Sequence, residues 1–285
     1  MSGRWFVRVG WRHLVALLAL AFGLFPILFV VSAAVNPQGT LNSTSLVPTQ
    51  GFSMENFGNL FRYQGGAFAH WFGNSVLIAL LAAVCSVFLS VLAAYAFSRM
   101  RFRGRRVGLL SLLLIQMFPQ FLAIVAIFIV FERITELWPS VGFNTPWSLV
   151  LLYLGGALGV NTWLVKGFFD TLPRELDESA TMDGASHVQV FFRIMMPLLA
   201  PILAVAGLLA FISTINEFLI ANVFLTNTNS KTLAVGMFGM VAGERNNNFG
   251  MFAAATLLTA IPTVGVFQFL QRYIVSGLTS GAVKG

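Results

Sequence analysis

The chain has 285 residues, of which 57% are hydrophobic and only 9% charged, with 29 Phe and a net charge of +7. A mean hydropathy of +0.82 is not the balance of a soluble globular domain, so the chain needs hydrocarbon as its solvent. The lone cysteine, Cys85, excludes a disulfide framework and a thiolate metal site.

Six apolar stretches are long enough to cross a bilayer as helices, which takes about 20 residues each. They predict spans near 14–35, 72–97, 107–131, 147–169, 198–225 and 250–272. The short alternation of a transmembrane barrel is missing. The expectation is all-α: a polytopic membrane protein forming one transmembrane domain over residues 1–285.

The first stretch follows Arg4, Arg8 and Arg12 and ends at Ser32-Ala33-Ala34, features a signal peptide also carries. Its 22 residues exceed the roughly 7–15 of a secretory core. The reading is a retained helix, with a cleaved signal as the alternative. The connection 36–71 is rich in Asn, Ser, Thr, Gly and Pro and reads as a solvated loop with a short helix near 55–63. In the second span Ser86, Ser90 and Ala94 line one side for close helix contact. The third places Gln116 and Gln120 one turn apart around Pro119, which should kink the helix and free a carbonyl.

The fourth span pairs Gly155 with Gly159 for close packing, carries Asn161 at its middle, and places Lys166 near one end, where it can snorkel. In the fifth, Ser213 and Glu217 share a helical face with Asn216 beside them. A charge at mid-helix costs about 2.5–3.5 kcal/mol on insertion scales. For Glu217 with Asn216, and for the Gln pair, a hydrated path competes evenly with helix–helix bonding. The loop 226–249 contains too much apolar residue for a plain linker, and part of it should pack on a helix or a partner. In the sixth span Thr256, Thr259 and Thr263 form a stripe beside Pro262. Interhelical hydrogen bonding, worth about 0.6 kcal/mol each, is the favoured reading there.

With six spans both termini share a side. On it lie Arg4, Arg8, Arg12, Arg99, Arg101, Arg103, Arg105, Arg106, Lys166, Arg174, Arg193, Arg272 and Lys284, or 13 of the 17 basic residues. The positive-inside rule makes that side cytoplasmic. The net positive charge therefore sets topology, and needs no nucleic acid to explain it.

Five of the ten acidic residues fall between Asp170 and Asp183, in the connection "FFDTLPRELDESATMDGASHVQVFFRIMMP". Pro173 stops the preceding helix, and 174–182 reads as a short helix. Asp183-Gly184 supplies a turn, since Gly tolerates positive φ. A second helical stretch should follow, with Pro197 and Pro201 marking the start of the fifth span. Leu176, Ala180 and Met182 give the short helix an apolar surface, while Glu175, Asp177 and Glu178 project elsewhere. Acidic residues repel anionic lipid, so a basic protein partner suits the segment better than headgroups.

The spacing Glu178-Ser179-Ala180, two residues, Asp183-Gly184-Ala185, eight residues, then Ile194-Met195-Met196-Pro197 resembles the EAA loop of ABC importer permeases. It departs at Ser179 and Met196, where Ala and Leu are usual. "AYAFSRMRFRGRR", "QMFPQ", "FFDTLPREL", "INEF" and the terminal "GLTSGAVKG" are similar to carbohydrate importer permeases of the maltose type, from about residue 70 onward. The last two point to the smaller, six-span permease of a heterodimeric pair.

The resemblance implies a type I ABC importer permease fold in a bacterial or archaeal cytoplasmic membrane. It implies that 174–197 is a coupling segment docking on a cytoplasmic ABC ATPase dimer, with Glu178, Ser179, Ala180, Asp183, Gly184, Ala185, Ile194 and Pro197 in that role. ATP and Mg would belong to that ATPase, and this chain would bind no cofactor or metal and catalyse nothing itself. A second permease and an extracytoplasmic sugar-binding protein complete the implied partners. Asn246, Asn247 and Asn248 are the candidates to touch the binding protein, with an Asn-rich turn as the bland alternative. Gln116, Gln120, Asn161, Asn216 and Glu217 are nominated for the sugar path, because sugar hydroxyls need amide and hydroxyl partners; the alternative is that they only line the route, since in the maltose family the main membrane sugar site belongs to the larger permease. No GxxxxGK[ST] occurs, in keeping with a separate ATPase. The competing function is a stand-alone secondary sugar transporter, which would want ionisable groups in several spans and inverted repeats. A membrane enzyme would need convergent catalytic groups, which the scattered His13, His70 and His187 do not supply.

Overall fold

The computed structural model describes residues 9–48, 51–156, 158–242 and 248–282, the side chains of 120 and 276–282 excepted. Among the described residues all regular structure is helical. Four helices are each long and apolar enough to cross a membrane, and six if each of two bent pairs counts as one crossing. The chain forms two compact units: residues 1–69 with 236–261, and residues 70–235 with 262–285.

In the first unit, α1 (Trp11–Val35) buries only Ser32, Ala33, Ala34 and Val35. Its Leu, Val and Phe side chains from Leu14 to Leu28 stand exposed, as a helix in hydrocarbon allows. The 55–63 expectation is met by α2 (Glu55–Arg62). Asn56 of α2 donates to the carbonyls of Ala34 (3.0 Å) and Asn36 (2.8 Å), which the end of α1 leaves without helical partners. Gly39 and Gly250 meet backbone to backbone through a 2.8 Å hydrogen bond, Gly250 donating.

The axis of the second unit is α3 (Ala67–Arg99), 33 residues and about 50 Å long at the α-helical rise. It contains no proline, and its small residues Ser86, Ser90 and Ala94 are buried. The region read as one kinked third span is two helices, α4 (Arg105–Met117) and α5 (Ile124–Leu137). The chain turns by 81° between them. Pro119 forces the break: it has no N–H to give and confines Phe118 to an extended conformation. The fourth region is likewise divided into α6 (Pro146–Gly155) and α7 (Val160–Phe169), bent by 54°. Thr145 caps α6 by accepting the N–H of Ser148, with Pro146 in the first helical position where its missing donor costs nothing.

After the short helix α8 (Glu175–Met182), α9 runs over His187–Ile215. Pro197 would collide with the Arg193 carbonyl in a straight α-helix. A π-helical turn over Val190–Met195 precedes it and absorbs the mismatch. Helix α10 (Leu219–Phe224) restarts after a break at Asn216–Phe218, α11 (Leu233–Ala242) accounts for the apolar part of the 226–249 loop, and α12 (Phe249–Ala282) closes the chain. The threonine stripe on α12 meets its expectation in part: Thr259 Oγ1 reaches Met237 Sδ of α11 at 3.5 Å. Thr256 and Thr259 donate to the carbonyls of Phe252 and Ala255 on their own helix, at 2.9 and 2.8 Å. Back-bonding of this kind satisfies a hydroxyl in lipid without a neighbour.

Candidate functional site

The two ends of α3 each hold a loop. At its start Trp71 Nε1 donates to the Thr228 carbonyl (2.6 Å), Asn74 donates to the carbonyls of Asn229 (2.9 Å) and Lys231 (3.1 Å), and Ser75 accepts from Leu233 N–H (2.7 Å). Asn144 closes the same loop from the other side. Its Oδ1 accepts from Thr226 N, Asn227 N and the Ser230 hydroxyl at 2.8, 2.8 and 3.1 Å. The residue sits at φ 60°, a left-handed conformation that Asn tolerates better than most.

At its far end α3 meets the acidic connection. Acidic residues in the first turn of α8 (Glu175, Asp177, Glu178) suit the positive helix start. The helix is stopped at Gly184, with φ +84°. Ala185 N–H donates to Ala180 O and Gly184 N–H to Thr181 O, both at 3.0 Å, the paired bonds of a Schellman ending. Two residues on, α9 is started by a reciprocal cap: Ser186 Oγ accepts from Gln189 N–H, and Gln189 Oε1 accepts from Ser186 N–H at 2.8 Å. Stop and start signals thus abut, and they fix the turn Asp183–Ser186.

One face of α8 is buried. Ala180 joins Val91, Ala94, Tyr95, Val165, Phe169, Val190, Phe191, Met195 and Leu199 in a core shared by α3, α7 and α9. Tyr95 packs on Phe191 and Phe169 with ring centroids at 5.1 and 5.8 Å. Ala185 and Ile194 pack partly against this core. The other face is open. Glu178, Ser179, Asp183 and Pro197 are exposed, and Met182 (87%), Val188 (65%) and Phe192 (51%) present apolar side chains to whatever lies outside. This is a small apolar knob rimmed by carboxylates.

Asp177 does not project outward with its acidic neighbours. It lies one turn before Ala180, on the buried face, with Oδ2 2.7 Å from Arg99 Nε. Arg99, the last residue of α3, also donates from Nη2 to the Leu172 carbonyl (3.0 Å) and lies 6.0 Å from the Phe169 ring centroid. Burial pushes the Asp177 carboxyl above the usual range, and the Arg99 guanidinium offsets only part of that. Beside it, Ser98 Oγ donates to Asp170 Oδ1 (2.6 Å) and Lys166 pairs with Asp170 Oδ2 (2.5 Å). Here too burial raises the Asp170 carboxyl, but the hydrogen bonds from Lys166 and Ser98 outweigh it and leave it below the usual range. Lys166 therefore ends on a carboxylate one turn further along the chain.

The nominated path residues fall into separate places. Gln116 packs its amide onto Gly159, so closely that a Cβ at 159 would overlap it. The breaks in the third and fourth spans thus meet, and Asn161 follows in the first turn of α7, half-buried. The side chain of Gln120 lies outside the described residues. Asn216 turns back to donate to Ile212 O (2.8 Å) at the end of α9. Glu217 accepts three donors: Ile220 N–H (2.8 Å), Ala221 N–H (3.0 Å) and the Tyr153 hydroxyl (2.7 Å). It caps α10 and ties it to α6. Asn246 and Asn247 lie outside the described residues, and Asn248 donates to Met240 O (3.2 Å). Among the described residues no group of three His, Cys, Asp or Glu is placed to hold a metal ion.

Residues 86–280 match the family described as binding-protein-dependent transport system inner membrane component. The chain is 36% identical to the galactooligosaccharides transport system permease protein GanQ of Bacillus subtilis (strain 168), over 100% of this chain and 99% of GanQ. It is 40% identical to the maltose/maltodextrin transport system permease protein MalG of Escherichia coli (strain K12), over 96% of this chain and 95% of MalG. The fold is similar to a chain of a bacterial ABC transporter involved in import of the acidic polysaccharide alginate, with TM-score 0.76 and 21% identity over 96% of this chain and 99% of that one. A chain of a bacterial alginate ABC transporter in complex with a periplasmic protein bound to alginate pentasaccharide gives TM-score 0.64 at 14% identity, over 94% and 96%. The chain belongs to the inner membrane components of binding-protein-dependent transport systems, the permeases of ABC importers.

Proposed function

We propose that this chain is the smaller permease of a heterodimeric ABC importer that moves maltose, maltodextrin or a related short oligosaccharide. A binding protein outside delivers the sugar, and a separate ATPase dimer inside, carrying ATP and Mg, drives the cycle. The observation that carries the reading is the α8–α9 turn: an exposed apolar knob with a carboxylate rim, fixed by abutting helix signals and seated on α3, α7 and α9. Glu178, Ser179 and Asp183 face the ATPase, Gly184 makes the turn, and Ala180, Ala185 and Ile194 hold the element to the membrane helices. The excess of Arg and Lys on the side of this turn makes it cytoplasmic, together with both termini.

Relatives named for maltodextrin and for galactooligosaccharides share one substrate chemistry, a short neutral sugar chain rich in hydroxyls. Gln116, Asn161 and Asn216 supply amides along its route. Glu217 serves the route as a strut, since its carboxylate already has three donors. That commitment also argues against a stand-alone ion-coupled transporter, which needs a titrating group free to change partners.

The test is co-purification of the chain with a maltose-type ATPase and the larger permease, comparing wild type with Gly184→Pro. A stable wild-type complex, loosened by Gly184→Pro while membrane insertion stays normal, is the expected result. Equal complex formation by both removes the docking role from this turn. No complex, with sugar uptake by the chain alone, returns the secondary transporter.

A further inference from the structure

We propose that Arg99 and Asp177 form a latch that makes α3 move with the docking helix α8, so that Arg99 is a positioning residue for transport. The proposal rests on the functional reading above. Four contacts converge on the last turn of α3. Arg99 reaches Asp177 on α8 (2.7 Å) and the Leu172 carbonyl (3.0 Å) in the connection from α7. Ser98, fully buried, reaches Asp170 (2.6 Å) at the end of α7. The Arg99 guanidinium also lies by Phe169, within the apolar core that seats α8.

Stability alone does not account for this pair. The side chains of Arg99 and Asp177 are only 9% and 21% exposed. Their contact is close, yet Arg99 Nε–H is not aimed along it, and neither carboxylate oxygen of Asp177 has a hydrogen-bond donor among the described residues. A buried pair satisfied this incompletely is usually matched or bettered by apolar residues of similar size. What it supplies is register. A guanidinium anchored by a hydrogen bond to the Leu172 carbonyl and ion-paired at 2.7 Å with Asp177 restricts the placement of α8 on α3, whereas an apolar contact through Ala180 alone would let the short helix slide.

The contact also lies where force would have to pass. The docking face of α8 points outward, the latch points inward, and α8 is only eight residues long. A push on Met182 or Glu178 can rotate α8 on its apolar seat, or it can carry α3 along. The latch selects the second.

The experiment uses the complete complex in proteoliposomes, with the sugar-binding protein and radiolabelled maltose, and a galacto-oligosaccharide as the second probe. Arg99→Gln and Asp177→Asn should retain the ATPase at wild-type stoichiometry and keep basal ATP hydrolysis, while sugar moved per ATP falls about tenfold. Arg99→Lys, which keeps the charge but loses the fork to Leu172, should fall in between. The exchanged pair Arg99→Asp with Asp177→Arg should recover transport above either single reversal. Unchanged sugar per ATP in both Arg99→Gln and Asp177→Asn overturns the latch. Loss of the ATPase from Asp177→Asn overturns it differently, by placing Asp177 in the docking surface. A wild-type preparation that holds no ATPase overturns the functional reading itself.

Discussion

Gly184→Ala isolates the backbone requirement of the turn proposed to dock on the ATPase. The residue sits at φ +84°, and nothing lies within 4 Å of where a Cβ would be. An alanine therefore meets no neighbour, and its whole cost is the left-handed backbone, about 1–2 kcal/mol. If all of that strain falls on the docking-competent turn, the competent fraction and the apparent affinity for the ATPase drop by at most about 5–30-fold. Asn tolerates this conformation better and should lose less. Pro should lose most, because it fixes φ near −65° and deletes the 3.0 Å bond from Gly184 N–H to Thr181 O. The assay is titration of the ATPase onto the permease pair in nanodiscs, with sugar uptake measured on the same samples. The reasoning predicts the order Gly, Asn, Ala, Pro. Equal affinities for Gly, Asn and Ala would refute it, since the three differ at this site only in their tolerance of positive φ.

Gly159→Ala should displace the Gln116 amide and impair transport, and Gln116→Ala in the same chain should relieve the clash; uptake by the two singles and the double measures the coupling. Glu217→Ala leaves two backbone N–H groups and the Tyr153 hydroxyl without their acceptor, at about 1–3 kcal/mol for each buried orphan, and thermal unfolding of the purified complex should shift down clearly. Glu217→Gln keeps an acceptor oxygen and should shift far less, whereas a Gln variant of normal stability that moves no sugar would make Glu217 a sugar ligand. Gly250→Ala would bring a Cβ to 2.7 Å from the Gly39 backbone and 2.6 Å from Asn56 Nδ2. It should cost about 1–3 kcal/mol, seen as faster proteolysis around residue 39.

Hydropathy alone was enough to read an all-helical membrane chain, because each apolar run is matched to bilayer thickness and the surroundings barely alter that signal. The turn at Gly184 was legible for a different reason. Its determinants are local: Gly184 for the positive φ, and Ser186 with Gln189 for the cap. What hydropathy could not resolve was where a run breaks. Pro119 announced a kink, but the second break, between Gly155 and Val160, has no proline to mark it. Polar residues were harder still, since their meaning lies in partners far along the chain. Glu217 looked like a lone charge in lipid, and Tyr153 supplies one of its donors from 64 residues away. Arg99 was one of many arginines that set topology, and its carboxylate lies on α8. The position of Asp177, one turn from Ala180, was the available clue that one acid faced inward. The hub role of Asn144 left no trace in the sequence beyond an Asn in a loop.

Helix α3 differs from α9 and α12 in containing no proline. Pro201 lies inside α9 and Pro262 inside α12, each costing its helix a backbone hydrogen bond, while α3 runs from Ala67 to Arg99 without proline. A continuous helix is stiff along its axis, so its ends cannot answer separate signals. One end is pinned to the acidic 170–183 connection by Ser98 and Arg99, the other to the 228–233 loop by Trp71, Asn74 and Ser75. A tilt of about 5° about one end of a rod of about 50 Å carries the other end by about 4 Å. That exceeds the reach of a hydrogen bond. A displacement at one end of α3 then reaches the other through a single piece of backbone, with no relay of side chains between them.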